Sequence, residues 1–354
     1  MRALLWIISL IAILTGGVWL GGESWLAGRA AAVIAQREDI GAEQVQPLRE
    51  MRRIGIRLDG VDYRTRIAAR PADLRLPWIE FWVPPTAPVE AHATLPEQAA
   101  LLLDGTEIAA AATGGKAVLR FAPANDMAVT RMMLNADSVL LAERPLLEHV
   151  AASARLVSMG HDAPREAGAA YDVDLDLTGF DPAVLAVLGL PPLVLPGQVA
   201  LAGETRLWLE TAPGPGMLQG RDQPVRPVGF RSEGMALTIG DLQARLVGEV
   251  VADDQGRPAG RLALYSPDGQ AWLRALSDAG LLPPAGVALG GALLRGLSQI
   301  PMELPHTTEA APSRNTFSFP EPAEGETRLP IFLREGKVFL GAFAIGTLPV
   351  PGQG

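Results

Sequence analysis

Polar and apolar residues alternate along most of the chain beyond residue 36. Ile54, Ile56 and Leu58 alternate with Arg53, Arg57 and Asp59; past Asp59-Gly60, the residues Val61, Tyr63, Thr65 and Ile67 alternate with Asp62, Arg64 and Arg66. Neighbouring side chains of a strand point to opposite faces, so a period of two predicts half-buried strands. Asp-Gly between two such runs predicts a hairpin turn. The same reasoning predicts strands at 78–83 and 89–95, a hairpin of 101–103 with 107–112 about Asp104-Gly105, and a strand at 117–121 after Gly114-Gly115. Residues 127–134 and 138–141 are expected to pair with each other. Residues 145–153 are ambiguous and fit a helical turn or two. Val173, Leu175 and Leu177 alternate with Asp172, Asp174 and Asp176. Strand-like runs follow at 199–210, 235–251 and 260–265, the last after a turn at 253–256. Residues 329–333 and 338–343 flank the turn Arg334-Glu335-Gly336-Lys337 and form a hairpin.

Helix is expected in three places. One runs to Gln36. A second starts at Asp268, which can cap it, and stops at Gly280. The third is 285–300, apolar except for Arg295, Ser298 and Gln299. Its apolar face is wider than an ordinary amphipathic stripe. That suits a core helix on a sheet, or a cover over a hydrophobic groove. Residues 305–330, rich in Pro, Glu, Ser and Thr, read as an exposed loop.

The segment 4–20 carries no charge, follows Arg2 and is extended by Gly21 and Gly22 to Glu23. About 20 apolar residues cross a hydrocarbon core. Trp6, Trp19 and Trp25 lie near its ends, where indoles favour the interface, and the basic end is expected to stay in the cytoplasm. The expectation is a membrane anchor over residues 1–36 and a body over 37–354 outside the cytoplasm. The alternative is a signal peptide cleaved near Ala27-Gly28, which also exports the body.

The chain has 354 residues, 48% hydrophobic and 19% charged, a folding composition. Its 38 glycines and 30 prolines favour short strands joined by turns. The net charge of −9 repels phosphate backbones, so nucleic acid is not an expected partner. The same charge gives no general attraction to anionic headgroups, so lipid contact is expected to be apolar. There is no cysteine, which removes disulfides, thiolate nucleophiles and Cys-ligated metals.

Chemistry is sparse. Asp172, Asp174 and Asp176 resemble the start of a calcium loop, but Val173 and Leu175 sit between them and a solvated strand face explains them better. His92, His149, His161 and His306 lack ligand spacing. No nucleophile elbow, phosphate-cradling loop or dinucleotide fingerprint is present. No enzymatic activity, cofactor or metal is expected.

The anchor, Leu76-Pro77-Trp78, the segment 171–182 ending Gly179-Phe180-Asp181-Pro182, the stretch AWLRALSDAGLLPP at 271–284 and the ending LPIFLREGKVFLGAFAIGTLP carry a resemblance. Together they resemble the bacterial envelope family DUF2125, a domain of unknown function. Ile54-Gly55-Ile56 stands where that family is expected to carry Gly-Phe-Pro. An anchor followed by many antiparallel strands is also distantly similar to AsmA-like envelope proteins, which implies a curved sheet with an apolar groove. The expected fold is therefore mainly β: an N-terminal transmembrane helix, then a large curved antiparallel sheet with a few short helices. The expected setting is the bacterial inner membrane, single pass, with the body in the periplasm. Two functions fit. One is lipid handling in an apolar groove lined by Trp78, Phe81, Leu101, Leu103, Val173, Leu175, Leu237 and Phe339. The other is a non-catalytic scaffold that binds other envelope proteins through loops such as 305–330.

Overall fold

A computed structural model describes residues 22–67, 70–190, 193–214, 225–280, 294, 296, 298–300, 302, 317–341 and 343–347. Among these the fold is mainly β and antiparallel with few helices, as the alternation predicts. No helix among the described residues is long and apolar enough to cross a membrane. The apolar segment 4–20 lies outside the described residues, as does most of 285–300. Contacts divide the chain into two compact units.

The first unit comprises Met1–Arg155, Val184–Pro191 and Ala212–Val225. It opens with helix α1 (Glu23–Ala35), followed by β1 (Ile40–Pro47), β2 (Ile54–Ile67) and β3 (Arg70–Val83) in an antiparallel meander. Strand β3 then forks. Its residues 80–82 pair with β4 (Glu90–Thr94), and residues 72–75 pair with β5 (Gln98–Leu103). One branch continues from β4 to β7 (Lys116–Ala122), β8 (Ala128–Ala136) and β11 (His149–Val157). The other runs from β5 to β6 (Thr106–Thr113), β9 (Ser138–Leu141) and β10 (Arg144–Leu147).

Helix α1 buries Leu26, Ala27, Ala30 and Ile34 against Ile56, Leu58, Ile79, Phe81 and Val129, so it belongs to this unit's core. A second cluster gathers Ala72, Leu101, Leu103, Ile108 and Leu141 with Val184 and Leu188.

Three local expectations are corrected here. Asp59-Gly60 is not a hairpin turn, because β2 continues through it. Gly60 has φ +58° and lies between the pairs Asp59–Trp78 and Val61–Leu76, opposite Pro77. A residue in the left-handed region breaks the pleat, and Pro77 offers no N–H to restore it. The inward positions therefore change from Ile56 and Leu58 to Val61 and Tyr63 without loss of register. Second, β8 and β9 do not pair with each other. They belong to different branches of the fork. Third, residues 145–153 form strand and not helical turns, because β9 and β8 offer them free edges.

The second unit comprises Leu156–Ala183, Pro192–Thr211 and Arg226–Gly354. Its strands are β12 (Ala169–Phe180), β13 (Val199–Leu209), β14 (Pro227–Ile239), β15 (Leu242–Ala252), β16 (Pro258–Ser266), β17 (Thr327–Arg334), β18 (Lys337–Leu340) and β19 (Phe343–Thr347). Each pairs antiparallel with the next. Helix α2 (Gly269–Asp278) starts as expected, with the Asp268 carboxylate accepting from the Ala271 N–H at 2.8 Å. It buries Trp272 and Leu273 against Ala244, Leu264 and Leu329. The predicted loop ends sooner than expected, since β17 begins at Thr327.

Candidate apolar binding face

Register in the second unit sorts its side chains into two unlike faces. One row across six strands reads Tyr171, Leu207, Phe230, Val250, Gly260 and Leu333. The next row on that face reads Val173, Thr205, Ser232, Gly248, Leu262 and Ile331. A third joins Leu177, Leu201, Leu237 and Ala244. One residue out of step, the opposite face reads Asp172, Arg206, Arg231, Glu249, Arg261 and Phe332.

Coverage departs locally from the usual pattern, in which polar residues meet water. The charged face is roofed at Arg231 and Arg261. Phe317 lies over the Arg231 guanidinium at 4.9 Å and Phe319 over that of Arg261 at 5.5 Å. The Tyr265 hydroxyl donates to the Pro320 carbonyl at 2.7 Å. Beneath this strap Arg231 pairs with Asp162 and, at 3.2 Å, with Glu233. Arg206 pairs with Asp172 at 2.8 Å. Glu249 sits in the row between Arg231 and Arg261. Burial pushes its carboxyl above the usual range despite both guanidiniums. A cavity of about 520 Å³ remains under the strap, bounded by Asp162, Arg231, Glu233, Val247, Phe317, Ser318 and Pro320.

The apolar face is only half covered. Helix α2 packs Trp272, Leu273 and Leu276 beside Leu237, Ile239, Leu242, Ala244, Leu264 and Leu329. Val173, Leu175, Leu177, Leu201, Leu207, Phe230, Val250 and Leu262 remain only partly buried. Single partly buried leucines are ordinary; here they form a run across five strands.

Glycines interrupt the regular strand conformation in this region. Gly203, Gly234, Gly248 and Gly260 lie on four successive strands with φ of +131°, +156°, +143° and +155°, values that L side chains rarely adopt. Bulges and glycine kinks of this kind are where sheets curve. The register shifts at residues 233–234, where the buried Ser232 hydroxyl accepts from Met235 N–H at 3.1 Å and donates to the Leu246 carbonyl at 2.9 Å. The polar groups of the bulge are thus satisfied within it. The face itself presents aliphatic and aromatic carbon with no charged side chain in the three rows above. It is suited to non-directional contact with an apolar ligand.

Of the eight predicted lining residues, Val173, Leu175 and Leu237 share this face. Phe339 pairs with Phe332 on the opposite face and packs in the cluster with Phe317 and Phe319. The other four belong to the first unit. Phe81 is buried beside α1, and Leu101 and Leu103 are buried with Val184 and Leu188. Trp78 is turned outward by the pleat break at Gly60 and Pro77, with the Arg57 guanidinium 4.7 Å from its ring. It borders a cleft of about 600 Å³ in the fork of β3, with Pro77, Thr94, Pro96, Gln98 and Lys116. Residues the sequence reading passed over, Leu201, Leu207, Phe230, Val250 and Leu262, carry the alternating signal, but only register joins them to Val173 and Leu175.

Asp174 and Asp176 are exposed, and Asp172 is held by Arg206. No group of three His, Cys, Asp or Glu residues that would hold a metal occurs among the described residues. His92 stacks on Trp82 at 4.0 Å, and desolvation lowers its pKa against the pull of Glu90. His306 lies outside the described residues.

A family model described as an uncharacterized protein conserved in bacteria (DUF2125) matches residues 19–349. No curated protein and no solved structure matches the chain.

Proposed function

We propose, for a chain that belongs to the bacterial DUF2125 family, that the second unit holds the acyl chain of a lipid against its half-covered apolar face. The protein then acts as a membrane-anchored lipid-handling component of the cell envelope. The observation that carries this reading is the contrast between the two faces: Phe317 and Phe319 cover Arg231 and Arg261 on one, while leucines and valines of the other stay only partly buried. Water contact with that face is unfavourable at roughly 25 cal/mol per Å² of apolar surface, and a hydrocarbon chain removes it without needing directed hydrogen bonds. The anchor expected at residues 4–20 keeps such a face close to its supply of lipid.

The test is photo-crosslinking of the full chain in cells fed a diazirine-bearing fatty acid, with adducts mapped by peptide mass spectrometry. Adducts are expected in 171–177, 201–207 and 246–250, and Leu175→Asp with Leu201→Asp should abolish them. Labelling confined to residues 1–21, with the sheet unmarked, would refute the reading. The scaffold alternative has less support, because the described end of its loop, Phe317–Pro320, already covers this chain's own sheet.

A further inference from the structure

A second surface, in the first unit, points to a different contact with lipid. Helix α1 begins directly after Gly22, where the apolar segment 4–20 leads into the described chain. The Glu23 carboxylate accepts from the Arg49 N–H at 2.8 Å and from the Gly55 N–H at 3.2 Å. The turn between β1 and β2 is thereby fastened to the first turn of α1. Met51, at the tip of that turn, is 98% exposed, and Trp25 is 47% exposed. Arg29, one helical turn after Trp25, and Arg49 and Arg52, in the same turn as Met51, are exposed. None of the three side chains has an ion pair among the described residues. The one exposed acid of the turn, Glu50, is engaged by Arg53. Against the protein's net charge of −9, this patch sets three arginines without an ion pair among the described residues around a bare methionine and tryptophan.

We infer that this patch docks on an anionic lipid surface, with Met51 and Trp25 entering the interfacial layer and Arg29, Arg49 and Arg52 on the headgroups. Arginine and tryptophan at the point where an apolar segment meets a folded body are the chemistry of that interface. An almost fully exposed methionine, flanked by Arg49 and by Arg52, gains a hydrocarbon environment there that water denies it. The general acidity of the surface opposes headgroups, so recognition is confined to this patch and fixes how the first unit stands on the bilayer. The inference does not depend on the acyl-binding face of the second unit.

The absence of cysteine from the sequence makes the test direct. Met51→Cys in the full chain accepts a single environment-sensitive fluorophore, and Asp254→Cys, in an exposed turn of the second unit, provides the reference. Both are reconstituted in phosphatidylcholine vesicles with or without phosphatidylglycerol. The fluorophore at 51, and not at 254, is expected to shift to the blue and to be quenched by lipid-borne nitroxides. The shift should grow several-fold with phosphatidylglycerol. Arg29→Gln with Arg49→Gln and Arg52→Gln, all exposed and checked for unchanged circular dichroism, should remove that growth. Equal emission at 51 and 254 would overturn the docking. A shift indifferent to phosphatidylglycerol and to the arginines would overturn the recognition of anionic headgroups.

Discussion

Gly248→Ala is expected to loosen the second unit. Gly248 has φ +143° and lies between Ser232 on β14 and Leu262 on β16. A Cβ at this position would stand 2.2 Å from the Arg261 carbonyl oxygen and 2.8 Å from the Leu262 Cα. Ordinary carbon–oxygen contact needs about 3.3 Å, so β16 must retreat by about 1 Å or Gly248 must leave its conformation. Holding an L residue in such a region costs about 1–3 kcal/mol, and forcing packed neighbours apart costs about 1–3 kcal/mol more. The sum, roughly 2–6 kcal/mol, is a large share of the ~5–15 kcal/mol that holds a domain folded. Urea unfolding followed by circular dichroism should show a midpoint lowered by about 1 M or more, for slopes of ~1–3 kcal/mol/M. Hydrogen exchange should accelerate first in the peptides of β15 and β16. Gly28→Ala is the matched control: this glycine is helical, has nothing within 4 Å of an added Cβ, and should gain up to about 1 kcal/mol. A Gly248→Ala midpoint equal to the wild type would refute the claim that the backbone at this position excludes a Cβ.

Other expectations follow the same reasoning. Burial raises the Glu249 carboxyl above its ordinary 4.5, so the folded state keeps a proton that the unfolded chain gives up first. Stability should therefore fall as pH climbs from the ordinary carboxyl range through the raised native value. Glu249→Gln should melt higher than wild type near neutral pH and alike in acid, and parallel melting curves across pH would contradict this. Leu273→Ala empties a site 1% exposed and should cost about 2–5 kcal/mol in denaturant titration. Asp268→Ala removes the cap on Ala271 N–H and should cost about 1 kcal/mol, with exchange quickening in the first turn of α2. Glu23→Ala frees the β1–β2 turn from α1. It should raise protease sensitivity at residues 49–53 and leave the exchange of β12–β15 unchanged.

Local chemistry was legible in the sequence where a few neighbouring residues decide the outcome. Asp104-Gly105 and Glu335-Gly336 take φ of +50° and +80°, and of +52° and +74°, and close two-residue hairpins as their residue types demand. Asp268 caps its helix because the partner N–H lies three residues on. Alternation likewise announced the strands and the two-faced character of β12. Asp59-Gly60 carries the same signature as Asp104-Gly105 but continues a strand, because β1 and β3 pair with both halves of β2 and hold it extended. No local signal encodes that. The two faces of the second unit show the limit most plainly. The period of two separates Asp172 from Val173 but does not say which will meet water. That choice depends on Phe317 and Phe319, distant in sequence, covering Arg231 and Arg261 and leaving the aliphatic rows only partly buried. Alternation is a property of a few adjacent residues, whereas coverage depends on what the rest of the chain brings against each side, so only the tertiary structure decided it.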